Sequence, residues 1–231
     1  MRNWNADIYN IPTYSVVDAA RYLRIPLVTL RSWIQGRSYS TKQGKKDFNP
    51  LIQRPKPNLP QLSFANLIEA HVLRVIREIH GVRLDTVRAA LDYLSNNLEQ
   101  EHPLIQKTFK TDGISLFVDS MDQLVDVGRS GQLAMRETIV HLLTRIEWDE
   151  NGIASRLFPF IQPEGDESMD LYIDPRISFG RPVIAGRGVP TIAISDLYEA
   201  GENIDDLANE YECTTKQITA AIRFESLFRA A

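Results

Sequence analysis

Apolar residues recur at helical spacing through most of this chain, and the interruptions between those runs divide it into units. Near the amino end Val16, Ala19, Ala20 and Leu23 follow Ser15, which forms a capping-box signature with Asp18 three positions on. Arg24-Ile25-Pro26 breaks this first helix. Pro26 suits the opening turn of a second, on which Leu30, Trp33 and Ile34 make an i, i+3, i+4 stripe. Two short helices on a tight turn predict a helix-turn-helix. Opposite the stripe, Val28, Thr29, Arg31, Ser32 and Gln35 face outward, mostly types that read base edges. The segment from Gly36 to Lys46 is basic and hydroxyl-rich, and it predicts a β-hairpin wing. There Arg37, Tyr39, Lys42, Lys45 and Lys46 would meet phosphates, which positions a protein on the duplex without choosing a sequence.

Pro50, Pro55, Pro57 and Pro60 punctuate the stretch after the wing. Phe64, Leu67, Ile68, His71, Val72, Val75, Ile76 and Ile79 then mark one face of a long helix, a stripe for a core or a dimer. Gly81 ends it. Leu84, Val87, Leu91, Leu94 and Leu98 resume at alternating three and four, so a helical hairpin is expected. From residue 103 the pattern reads as extended. Strands are expected over 105–110 and 114–118, with Thr111-Asp112-Gly113 as the turn, and over 123–127; a helix over 132–146 and a strand over 153–158 complete a small α+β unit. An acidic, turn-forming stretch over 162–168 resembles a linker. Beyond it, Ile173 to Thr191 carries three glycines and three prolines, which suits an ordered turn-rich arm. Three short helices close the chain, over 192–200, over 204–211 behind an Asn203/Asp206 cap, and from a Thr214/Gln217 cap onward.

The fold class is therefore mainly α with small β elements: a winged helix, a helical hairpin, a small α+β unit and a carboxy-terminal trihelical, helix-turn-helix-like module. Its expected boundaries are 1–100, 101–163 and 164–231.

Composition narrows the function. With 43% hydrophobic residues, 231 residues can bury more than one core. Residues 1–10 do not resemble a signal peptide, and no apolar run approaches the roughly 20 residues of a membrane helix, so a cytoplasmic protein without a membrane partner is expected. Cys213 stands alone, and His71, His80, His102 and His141 are scattered singly, which argues against disulfides and metal sites. No cofactor is expected. There is no phosphate-binding loop and no nucleophile with base and orienter, so no enzyme is expected.

The formal charge of −4 hides an asymmetry. Residues 1–60 hold ten basic and three acidic side chains, a local +7, which leaves −11 for the rest. A basic end on an acidic body suits a polyanion held at that end. In contrast, Asp196, Glu199, Glu202, Asp205, Asp206, Glu210 and Glu212 lie between Ile192 and Cys213 without one basic residue. That module should bind protein rather than DNA.

The run Ser15-Val16-Val17-Asp18-Ala19-Ala20-Arg21-Tyr22-Leu23, with Val28-Thr29-Leu30-Arg31-Ser32-Trp33, resembles the winged helix of MerR proteins, which carry Thr-(Ile/Leu)-Arg-x-(Tyr/Trp). The resemblance implies that Thr29 and Arg31 lie near the duplex and that Trp33 supports the wing. At the other end, Asp174-Pro175-Arg176-Ile177, Gly180-Arg181-Pro182-Val183-Ile184, Gly186, Ala200-Gly201, Asp205-Asp206-Leu207-Ala208 and Tyr211 resemble domain-of-unknown-function family 433. That family usually reads Gly-Thr-Arg where this chain has Gly186-Arg187-Gly188. Its members are antitoxins of the VapB kind, encoded beside toxins of the PIN-like ribonuclease class. A winged helix in front of this module resembles the VapB antitoxins fused to a MerR-like region.

The resemblance implies a type II antitoxin that neutralises a PIN-like ribonuclease, represses its own operon and acts as a homodimer on operator DNA. A PIN-like site is a carboxylate cluster, so Arg176, Arg181 and Arg187 become toxin-binding candidates. Alternatively, Arg181 ties the arm to Asp174 or Asp196. The rival function is a MerR-like transcription regulator whose central unit binds an effector.

Overall fold

The computed structural model describes residues 8–41, 44–48, 50–80, 84–98, 102–125, 128–160 and 168–229. Strand β1 (Tyr14–Ser15) leads directly into helix α1 (Val16–Leu23), and α2 (Leu27–Gln35) follows after a short turn. Ser15 caps α1 by accepting the Asp18 N–H at 3.0 Å. The expected wing is present as β2 (Arg37–Thr41) and β3 (Gly44–Phe48), antiparallel and in register from Arg37 opposite Phe48 to Thr41 opposite Gly44. The chain then returns so that β4 (Gln61–Leu62) pairs antiparallel with β1.

Helix α3 (Phe64–His80) carries the long apolar stripe, and Phe64, Leu67, Ile68, Val72 and Ile76 are all buried within this one chain. It is a core stripe. Helix α3 packs against α6 (Gly128–Leu143), while α4 (Leu84–Leu98) packs against α5 (Ile114–Val125), and α5 lies on α6. His71 shares the buried face, and burial first, then Arg74 and Arg145, push its imidazole down to about 3, so it is neutral at physiological pH.

Among the described residues, none of the three strands expected between 105 and 127 forms. Pro103–Ile105 is a 3₁₀ turn, Gln106 makes a single bridge to Ile153, Phe109–Gly113 is a π turn and α5 follows. The physical reason lies in the burial. Ile114, Phe117 and Val118 are buried at i, i+3, i+4, a helical stripe displaced from Phe109 by the extra residue of the π turn. Thr111-Asp112-Gly113 therefore serves helix rather than hairpin. Gly113 is needed for close approach, because a Cβ there would lie 2.7 Å from Cδ2 of Phe109.

Helix α6 starts and ends a few residues before the expected 132–146, and β5 (Ile146–Trp148) and β6 (Ala154–Leu157) form a hairpin after it. The buried Arg145 guanidinium holds the exit of that hairpin by donating to the carbonyls of Phe158 and Pro159, at 2.9 and 2.8 Å.

The carboxy-terminal unit contains β7 (Leu171–Tyr172) paired with β8 (Val183–Ile184), then α7 (Thr191–Glu199), α8 (Ile204–Glu210) and α9 (Thr215–Arg229). Both expected caps are made: Asn203 accepts from Asp206, and Thr214 and Gln217 bond reciprocally. Leu171, Ile184, Ile194, Leu207, Ile218, Ala221 and Phe224 form this unit's own core. Ile173, two residues past Leu171, instead belongs to the main core and exchanges backbone hydrogen bonds with Leu157 at 2.8 and 3.0 Å. The proposed linker over 162–168 falls almost wholly outside the described residues.

Candidate nucleic-acid interface

Burial of Leu30, Trp33 and Ile34 orients α2, and the opposite face is left to solvent. Val28 is 74% exposed, Arg31 and Gln35 are exposed, and Thr29 and Ser32 are half-buried. The Ser32 hydroxyl donates to the Thr29 carbonyl at 2.7 Å. An apolar methyl pair, a guanidinium and a carboxamide thus share one open helix face, a chemistry that can read thymine methyls and purine edges. Trp33 supports the segment behind the wing through its backbone: its carbonyl accepts the N–H groups of Leu51 and Ile52, at 2.7 and 3.1 Å.

Arg37, Tyr39, Lys45 and Lys46 lie on the wing strands. Lys42 lies outside the described residues.

Two positioning residues escaped the sequence reading. Arg74 of α3 donates to the Leu23 carbonyl at 2.7 Å, so a cation caps the carboxy end of α1 and fixes the helix-turn-helix on the helical body. Arg21 of α1 pairs with Glu225 of α9 at 3.1 Å. Nothing in local sequence announces a contact 204 residues apart. Glu225 also accepts from the Thr191 hydroxyl at 2.6 Å. Burial raises the Glu225 carboxyl above its ordinary range, against the opposing pull of Thr191 and Arg21. Beside it the Tyr22 and Phe224 rings stack with centroids 6.3 Å apart. Burial, then Asp18 and Glu225, push the Tyr22 phenol up to about 12.

The three arm arginines differ in their surroundings. Arg176 is engaged by its own chain: Nε and Nη2 bond the two oxygens of buried Asp174 at 2.8 and 2.7 Å, and its N–H adds a third bond at 2.9 Å. Burial alone would raise the Asp174 carboxyl, but the Arg176 bonds and the nearby Arg156 outweigh it and hold the group low. Arg187 pairs with Glu212 at 2.9 Å on the surface. Arg181 is exposed and lines a cleft with Asp18, Arg21, Tyr22 and Glu225. Asp174 is thus occupied by Arg176 and Arg156 rather than by Arg181.

Residues 12–91 match a family model described as "Putative DNA-binding HTH domain", and residues 172–224 match "Protein of unknown function (DUF433)". The chain is 30% identical to "Putative antitoxin VapB45" of Mycobacterium tuberculosis, over 93% of its own length and 94% of that protein's. The chain belongs to this antitoxin family. A second relative of the same organism, the uncharacterised Rv2308, is 22% identical over 94% of this chain and 92% of its own. The crystal structure of Rv2018 from Mycobacterium tuberculosis has the same fold, with a TM-score of 0.69 at 24% identity, covering 93% of this chain and 99% of that one. As a member of the family, the chain carries its DNA-binding helix-turn-helix at the amino end and the DUF433 module at the carboxy end. No helix among the described residues is long and apolar enough to cross a membrane.

Proposed function

We propose that the chain binds operator DNA through α2 and the wing, represses its own operon, and neutralises a PIN-like ribonuclease toxin through the carboxy-terminal arm. The open face of α2, set in a segment of local charge +7, carries the DNA half of this reading. The toxin half rests on the antitoxin relative and on the seven exposed carboxylates of α7 and α8 and the turns that follow them, which repel phosphate. In this reading the chain inhibits and performs no reaction of its own. Homodimer formation follows from DNA geometry, since one winged helix covers too little duplex for operator affinity. Expected modules are 1–100 for DNA, 101–163 as a connecting unit and 164–231 for the toxin.

A footprint on the region upstream of its gene, repeated with the protein encoded beside it, tests the whole reading. Protection of an inverted repeat and a stable complex with that protein are expected. An unprotected upstream region removes the repressor role, and a neighbour that neither binds nor cleaves RNA removes the toxin role.

A further inference from the structure

Phe179 sits at the tip of the carboxy-terminal arm with 88% of its surface exposed, more than Val28 on the reading helix. Its backbone is unusual as well. Ser178, Phe179 and Gly180 have φ of 49°, 56° and 74°, three successive left-handed residues of which only the last is a glycine. For serine and phenylalanine that conformation is strained, and it persists only where surrounding contacts impose it.

Those contacts are in place. The Gly180 and Arg181 N–H groups donate to the carbonyls of Ile177 and Ser178, at 2.9 and 3.1 Å, and Ile177 donates to Asp174 at 3.0 Å. Asp174 is itself clamped by Arg176. Gly180 rests on the Tyr14 ring of the amino-terminal unit so closely that a Cβ would collide with the phenol oxygen and lie 2.8 Å from Cζ. The turn is thus built between two modules, and it holds a large ring out into water. A lone exposed apolar residue is ordinary. A ring held there by an imposed, strained turn gains nothing for the isolated chain, and costs both burial and backbone freedom.

We propose that Phe179, with Arg181 beside it, is the anchor by which the chain docks its protein partner, the ring entering an apolar pocket bordered by carboxylates. The inference rests on the toxin-binding reading above and names its central contact. An exposed aromatic ring two residues from an exposed guanidinium fits the composition of protein interfaces, in which aromatic residues and arginine are enriched. Arg181 calls for a partner with negative charge at the pocket rim, while the exposed carboxylates of the same module disfavour nucleic acid. Because Gly180 bears on Tyr14 and Arg181 shares a cleft with Asp18 and Arg21, a partner seated here also lies against the helix-turn-helix.

The test uses the full chain with Phe179→Gly and Phe179→Leu, and as probe the purified protein encoded beside its gene. Glycine accepts the left-handed backbone, so Phe179→Gly should keep or raise the thermal midpoint while weakening the complex roughly 30-fold or more by titration calorimetry. Leucine should retain part of the affinity. Operator binding and oligomeric state should not change. If the wild type binds the probe and Phe179→Gly binds equally well, the anchor is wrong and the toxin reading stands. If Phe179→Gly instead loses operator affinity, or changes mass in light scattering while probe affinity holds, the ring serves DNA or a second copy and the proposal is overturned. A wild type that does not bind the probe removes the toxin reading and the anchor together.

Discussion

Helices α1 and α2 at one end and α7 to α9 at the other are two helical units on one chain, opposite in surface. The first turns a guanidinium, a carboxamide and an exposed valine outward from a basic segment. The second exposes Asp196, Glu199, Glu202, Asp205, Asp206, Glu210 and Glu212. Helix packing set the shape in both cases, since each buries an i, i+3, i+4 type stripe, and what faces water set the possible partner. The two are also joined: Tyr22 packs against both cores, and Arg21 reaches Glu225.

The largest effect should come from cutting that joint. Phe224→Ala removes a buried ring from the second core and from its stack on Tyr22, and should cost about 3–5 kcal/mol. If the units are one cooperative body, calorimetry will give a single transition at lower temperature and α1 amides will exchange faster. Two separated transitions would instead make the units independent.

Asp174→Asn should cost about 1–3 kcal/mol at neutral pH, kept to that level because Arg176 is half exposed to solvent. The sign of its pH dependence is definite. Asp174 is held below the ordinary aspartate range in the folded chain, so its contribution is present above about pH 4 and lost as pH falls through the lower folded value. Denaturant midpoints of wild type and variant should therefore converge on acidification, and a constant difference would contradict the assigned cause.

Arg31→Ala should cost about 1–3 kcal/mol of discrimination between operator and mutated sites, whereas Lys45→Ala with Lys46→Ala should weaken all duplexes alike and flatten the salt slope by about 2. Gel shifts over a salt series separate these. Identical behaviour of the two variants would erase the assigned difference between helix and wing. The smallest effect belongs to Glu212→Gln, which breaks an exposed pair with Arg187 and should change stability by less than about 1 kcal/mol in urea.

Much of this comparison was legible in the sequence. The Ser15, Asn203 and Thr214 caps, the α2 stripe, the wing and the charge asymmetry are local or periodic signals, and such signals depend on residues a few positions apart. In the middle, Thr111-Asp112-Gly113 has the composition of a hairpin turn and so predicts strands, whereas the π turn at Phe109–Gly113 displaces the helical stripe by one residue and hides the helix from its periodicity. Arg176 looked free to reach a partner, since its bonds to Asp174 depend on the fold of the arm rather than on spacing alone.

By itself, then, the sequence determined that the chain begins with a DNA-binding type of helix-turn-helix, ends in an acidic three-helix module and is mainly helical, because capping, periodicity and net charge are properties of neighbouring residues. Tertiary structure alone decided that Arg74 caps α1, that Arg21 meets Glu225, that Ile173 joins the main core and that Gly180 rests on Tyr14. Those contacts join residues far apart in the chain, and only the packing of whole elements brings their side chains within reach.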